Sequence, residues 1–226
     1  MTASSQALPG PFGQSAHRTA VGPLPVLVRP ARLDDITPIL TLHREAFADK
    51  FGGAFGAKAT DQGVAALAAT WRRQGALALR GMFVAEHEGA VIGTTTVRTW
   101  EMAGGDGGAA EISFHEELGH WRATRSLFAL SLLDHQIGHR EGFVTDVAVL
   151  APYRRGGVAQ ALLARAEQEA LLRGRRFLGL YVSARNEAAR NLYRHLGFYN
   201  VRVRRSFLAW LFFGQGRWVY MRKDLS

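Results

Sequence analysis

The segment Val144–Gln160, V-T-D-V-A-V-L-A-P-Y-R-R-G-G-V-A-Q, constrains this chain more than any other. Val144 to Leu150 is an apolar, β-branched run, the composition of a strand buried on both faces. From about Val158 to Arg173, Val158, Leu162, Ala166 and Ala170 recur at helical spacing with Arg165, Gln168 and Glu169 between them, so an amphipathic helix follows. Two glycines, Gly156 and Gly157, separate strand from helix. Such a junction suits an anion. The first N–H groups of a helix have no intrahelical acceptor, the helix dipole adds partial positive charge, and glycine lets a phosphate approach the backbone. The spacing is neither G-x-x-x-x-G-K-[ST] nor G-x-G-x-x-G, which excludes a P-loop and a Rossmann fingerprint at this point.

A second block runs from Leu178 to Tyr199. Leu178–Ser183 reads as a strand, Asn186 as a helix N-cap and Glu187 as a favourable first-turn acid. Ala188, Ala189, Leu192, Tyr193 and Leu196 form an apolar stripe, Gly197 closes the helix and Phe198 starts a new strand.

Together the two blocks resemble the GNAT superfamily of acetyl-CoA-dependent N-acetyltransferases. Arg154-x-x-Gly157-x-Ala159 is similar to its pyrophosphate loop, [QR]-x-x-G-x-[GA]. The string N-x-x-A-x-x-L-Y-x-x-x-G-F from Asn186 to Phe198 is similar to the block after its fifth strand. The likeness is most specific over Val144–Tyr199 and extends over Val26–Lys223. The chain departs from the pattern in placing Pro152 one residue late and Ala159 where glycine is commoner.

The resemblance implies an α/β fold (α+β in some schemes), a central mixed sheet of about seven strands flanked by helices. Acetyl-CoA would lie in the gap between strands 4 and 5. Val147, Ala148 and Val149 would hold its pantetheine and acetyl end. Arg154, Arg155, Gly156, Gly157, Val158, Ala159 and Gln160 would cradle its pyrophosphate. Asn186 would bond the cofactor, or serve only as the N-cap.

Two side chains carry the implied chemistry. Tyr193 corresponds to the tyrosine that protonates the departing thiolate; a phenol with a reference pKa near 10 stays protonated at neutral pH and so serves as a general acid. A core tyrosine in the helix stripe is the alternative. Asp146 sits inside the apolar strand, where an unpaired carboxylate is costly to bury. Its position resembles that of a catalytic base, and the residues leave a structural hydrogen bond or ion pair open. The acceptor is expected to be a small amine, a protein N-terminus or a lysine. An α-amine of pKa near 8 loses its proton almost freely, whereas a lysine near 10.4 costs about 4 to 5 kcal/mol to deprotonate at neutral pH, so a lysine demands the better base. A non-catalytic acyl-CoA sensor or interaction module of the same fold is the rival reading.

Composition sets the frame. The chain has 226 residues, 47% of them hydrophobic, enough for one domain with a full core. No apolar run is long enough to span a membrane and no signal-peptide pattern opens the chain, so a cytoplasmic protein without membrane attachment is expected. It contains no cysteine, which removes thiolate metal sites and a cysteinyl intermediate and favours direct transfer. The net charge of +9 is carried almost wholly by arginine and is read as a basic surface that attracts an anionic cofactor, with no nucleic acid and no metal expected.

In chain order, residues 1–25 read as a disordered tail and 26–226 as one domain with an insertion at about 100–140. Val26–Arg29 is a strand, and Asp34 or Asp35 caps a helix through Phe47. Phe51–Gly56 reads as a mobile loop with two exposed aromatics, followed by a helix over Asp61–Gln74. Met82–Glu86 and Ala90–Arg98 read as antiparallel strands. Met102–Ala110 is glycine-rich, Glu111, His115, Glu116 and Glu117 are a solvated acidic loop, and Trp121–Gln136 is helical. His135 and His139 read as ordinary surface residues. The resemblance makes Phe207–Phe213, F-L-A-W-L-F-F, part of a hairpin of strands 6 and 7; core packing is expected for its aromatics, with an acceptor pocket or homodimer surface as alternatives.

Overall fold

The computed structural model describes residues 24–102 and 107–225. The expected tail lies outside them except for Leu24 and Pro25, and Leu24 is docked, its N–H donating to Gly156 O at 3.1 Å. The strands are β1 (Leu27–Pro30), β2 (Met82–His87), β3 (Ala90–Arg98), β4 (Glu141–Val149), β5 (Phe177–Ser183), β6 (Tyr199–Arg205) and β7 (Arg217–Asp224). They form one sheet in the order β1-β2-β3-β4-β5-β7-β6, antiparallel except between β4 and β5. This is the mixed seven-stranded α/β sheet expected.

The helices are α1 (Ile36–Ala46), α2 (Ala48–Phe55), α3 (Thr60–Gln74), α4 (Gly107–Leu118), α5 (His120–Ser131), α6 (Val158–Leu172), α7 (Glu187–His195) and α8 (Phe207–Phe213). On one face of the sheet, α6 packs Val158, Leu162, Leu163 and Ala166 against β2, β3 and β4, and α7 adds Tyr193. On the other, α1 lays Ile36, Ile39 and Leu40 on Met82 and Val84. Behind α1, the helices α2, α3, α4, α5 and α8 share a second core of Phe51, Phe55, Phe114 and Phe213. Each such ring, fully buried, contributes about 1.5–3 kcal/mol.

Several expectations are corrected here. Phe51–Gly56 is no loop: α2 covers it and both aromatics are buried, because Phe47, Phe51 and Phe55 fall at i, i+4, i+8 and make one apolar stripe. The acidic patch at Glu111–Glu117 lies on α4, which packs on α3. Residues 103–106 of the glycine-rich stretch lie outside the described residues. Asp35 does not cap α1 with its side chain; it accepts from Arg32 N at 2.7 Å and pairs with Arg29 at 2.7 Å. Phe207–Phe213 is a helix between β6 and β7, and it is only half core: Ala209 and Phe213 are buried, Phe207, Trp210 and Leu211 exposed.

His135 is not a surface residue. Its Nε2 lies 2.9 Å from Glu141 Oε1, which also accepts from Tyr220 OH at 2.6 Å, while Gly138 N donates to Oε2 at 3.0 Å. Burial pushes the Glu141 carboxyl up, but these donors outweigh it and hold it below the usual range. Only glycine fits at 179 beside them, since a Cβ there would lie 2.3 Å from the Tyr220 hydroxyl.

Neighbouring glycines of α2 give a test of the helix. A Cβ on Gly53 would lie 2.2 Å from Phe212 O, whereas one on Gly52 would meet nothing within 4 Å. Gly53→Ala should therefore destabilise by about 1–3 kcal/mol, and Gly52→Ala should stabilise by about 0.5–1 kcal/mol. Thermal melts read both; equal, near-zero shifts would return the segment to a loop. Among the described residues no helix is long and apolar enough to cross a membrane.

Candidate active site

The site begins with a break in the sheet. β3 pairs Thr96 with Asp146 and Val97 with Val144, so Thr145 is an extra residue, a bulge. Pairing of β4 with β5 stops at the same point, the last partners being Val144 and Leu180. Beyond it β4 stays on β3 while β5 continues on β7 from Tyr181↔Tyr220 to Ser183↔Trp218. The sheet splits, and a cleft of about 920 Å³ opens between the halves, of the size that holds a small-molecule ligand. Its β4 wall, Asp146 to Val149, presents backbone that no strand on that side covers.

The bulge also re-aims side chains. Gly93 faces Leu162 and Val158 of α6, so Thr94 and Thr96, and with them their partners Ala148 and Asp146, face α1. There His43 Nε2 approaches Asp146 Oδ2 to 3.3 Å, both side chains nearly buried. The histidine ring is set by Phe47 at 5.5 Å and by an edge contact to Trp71 at 6.3 Å. Thr145 Oγ1 donates to Asp146 Oδ1 at 2.7 Å. Burial alone would push the Asp146 carboxyl up; His43 and the threonine donor overcompensate and hold it below the carboxylate range. Thr94 Oγ1, Thr96 Oγ1, His43 Nε2 and Asp146 Oδ2 are buried without an aligned hydrogen bond among the described residues. Of these four residues Asp146 lines the cleft, and the other three lie behind it; buried polar atoms left this way beside a cleft call for an explanation beyond packing.

Tyr193 lines the cleft from α7, on the α6 side of the sheet. Burial, and secondarily the charge of Asp146, push its phenol up to about 12. Lys50 of α2 also lines the cleft, its ammonium 4.5 Å from the Phe47 ring centre and 5.7 Å from that of Trp218. Desolvation lowers its pKa, an effect that Asp146 partly offsets.

The remaining expected residues divide into two groups. The cleft brings together Asp146, Val147, Ala148, Val149, Arg154, Asn186 and Tyr193. Arg154 Nε donates to Val149 O at 3.0 Å, which turns its side chain back onto the end of β4. Asn186 caps α7, its Oδ1 accepting from Ala189 N at 3.0 Å. Arg155, Gly156, Gly157, Val158, Ala159 and Gln160 do not line the cleft; they form a ledge just past Arg154. On it Arg155 has φ +66° and Gly157 φ +84°, a turn that leaves the first N–H groups of α6 free of intrahelical acceptors. That cradle, with Arg155 on it, fits a pyrophosphate. Sequence reasoning missed His43, Lys50 and Trp218. Only His43 left a signal, as the one polar residue on the apolar face of α1.

Comparisons with known proteins agree with this geometry. The model of the acetyltransferase (GNAT) family matches residues 40–198. The uncharacterized N-acetyltransferase YycN of Bacillus subtilis (strain 168) is 42% identical over 59 residues, 26% of this chain and 38% of that relative. A crystal structure of an acetyltransferase superposes with TM-score 0.61 at 20% identity, covering 88% of this chain and 100% of its own. The PaiA N-acetyltransferase of Thermoplasma acidophilum, in complex with coenzyme A, gives 0.56 at 12% identity over 89% and 99%. The ribosomal-protein-S18-alanine N-acetyltransferase of Escherichia coli gives 0.53 at 18% over 89% and 94%. At these identities the likeness to the solved structures is one of fold.

Proposed function

Because the chain belongs to the acetyltransferase (GNAT) family, we propose that it transfers an acetyl group from acetyl-CoA directly to a primary amine within a ternary complex. The observation that carries this is the split between β4 and β5, with the His43–Asp146 pair on one face of the sheet and Tyr193 on the other. When bound, acetyl-CoA supplies an activated thioester. Its pyrophosphate would rest on Arg155 to Gln160 and its pantetheine arm against the open backbone of Val147 to Val149. A main-chain N–H of that stretch would donate to the carbonyl oxygen as it gains charge.

Proton traffic falls to the side chains. The amine must lose a proton to attack; Asp146 lines the cleft and would pass that proton to His43, which lies 3.3 Å behind it and does not itself line the cleft. Asp146, which stays ionised, also orients the imidazole. Tyr193, which stays protonated, donates to the departing sulfur. The chain has no cysteine to take the acetyl group first.

Acetyl-CoA binding by calorimetry tests the reading. Wild type should bind, and Gly157→Glu should lose about 100-fold or more. That glutamate would be forced into a left-handed backbone and would set a like charge against the pyrophosphate, a repulsion of several kcal/mol. Equal affinities for the two proteins would remove the ledge from the site. Thiol release on a panel of amines then ranks the acceptors.

A further inference from the structure

A second groove of about 590 Å³ runs on from the cleft, and the two share Ser183, Arg185 and Gln215. Four arginines line it: Arg185, Arg190, Arg205 and Arg217. No carboxylate lines it, and none of the four makes an ion pair among the described residues. Arg29, Arg44, Arg73, Arg165, Arg173, Arg175 and Arg222 find acidic partners while others, such as Arg32, Arg80 and Arg98, form no ion pair among the described residues, so what sets this place apart is four arginines around one groove with no carboxylate in its lining. Arg190 is part-buried, with its Nε sealed from solvent and unbonded. The floor is apolar, Val203 and Val219, and one wall is aromatic, Phe207 and Trp210 with ring centres 5.6 Å apart. Like charges gathered around one concavity repel, so the groove stands ready for an anion that the fold itself does not supply.

We propose that this groove binds the body of the acceptor, an acidic peptide segment whose free N-terminus reaches into the cleft. The proposal rests on the N-acetyltransferase reading of the cleft. Continuity argues for a peptide over a nucleic acid: the same molecule must present a primary amine beside Asp146 and carboxylates several residues later, and a polypeptide N-terminus does both. The apolar floor and aromatic wall then hold the side chains between the acids. The exposed half of α8, unexplained by core packing, becomes a wall of the acceptor site.

Fluorescence anisotropy tests this with a peptide labelled at its C-terminus, free at its N-terminus and carrying Glu and Asp at positions 2 to 5, against the same peptide with Gln and Asn. Wild type should bind the acidic peptide about tenfold or more tightly than the neutral one, with the preference shrinking as salt rises. R205E/R217E should lose that preference and R205Q/R217Q part of it; both arginines are exposed and unpaired, so the fold tolerates the change. Calorimetry with acetyl-CoA on the same variants separates the two readings. Peptide preference without acetyl-CoA binding would sink the activity and spare the groove. Equal binding of the two peptides, indifference to charge reversal, or loss of acetyl-CoA binding in R205E/R217E would overturn the groove's assignment, the last by giving it to the nucleotide end of CoA.

Discussion

Asp146→Asn should lower kcat/KM toward a lysine-like amine about 10²–10⁴-fold, the usual contribution of general acid–base catalysis. Asparagine keeps the shape of the side chain and removes the carboxylate that faces His43 across 3.3 Å. His43→Ala should fall in the same range, and the double variant should fall no further than the worse single one, because residues acting as a unit are not additive. The loss should shrink for an acceptor of low pKa, whose proton leaves with little help. A purely structural Asp146 predicts a different outcome: a lower melting temperature, with kcat of the folded fraction unchanged for every amine. Since the Asp146 carboxyl is held below the usual carboxylate range, the wild-type rate should show no ascending limb from this group above about pH 4. An ascending limb between pH 4 and 5 would contradict the pairing.

The parts of this molecule legible in the sequence are those where a local pattern and the final environment agree. Val144–Leu150 is β-branched and ends up in the middle of the sheet; the Val158 stripe meets the sheet along its whole length. Asn186 and Gly197 mark the ends of α7 by the chemistry of capping alone. What escaped depends on partners far away in the chain. The bulge at Thr145 falls where β4 stays on β3 and its pairing with β5 ends, and nothing in V-T-D-V announces it. The α2 stripe was masked by Gly52 and Gly53, whose low helix propensity is overridden by the packing of α2, with Gly53 set directly against α8. The run F-L-A-W-L-F-F has no polar residue to reveal a period, so strand and helix could not be told apart. His135 gave no sign of its burial against Glu141, whose carboxylate also accepts from Tyr220, 79 residues further on.

Tyr193→Phe should cut kcat about 10²-fold or more with little change in the affinity for acetyl-CoA, since it removes a proton donor used only as the sulfur departs. The ring stays in the core beside Phe198, 5.8 Å away, so the fold should hold and the melting temperature should barely move. The pH dependence distinguishes catalysis from packing. An acid acts only while protonated, and an ordinary tyrosine would lose its proton near pH 10. Here burial moves that loss up to about 12, so the protonated form persists through pH 10 and is lost only as pH rises toward 12. Wild-type kcat should therefore carry no descending limb between pH 9 and 10.5 from this group, and the Phe variant should be uniformly slow across that range. Acceptors release the same thiolate whatever their amine, so the Tyr193→Phe loss should be similar for every acceptor whose reaction is limited by that departure. The Asp146→Asn loss should instead grow with acceptor pKa. One variant indifferent to the amine and one sensitive to its pKa would assign the acid role to Tyr193 and the base role to the His43–Asp146 pair. A Tyr193→Phe enzyme of full kcat would leave the phenol as a core residue and require water to protonate the sulfur.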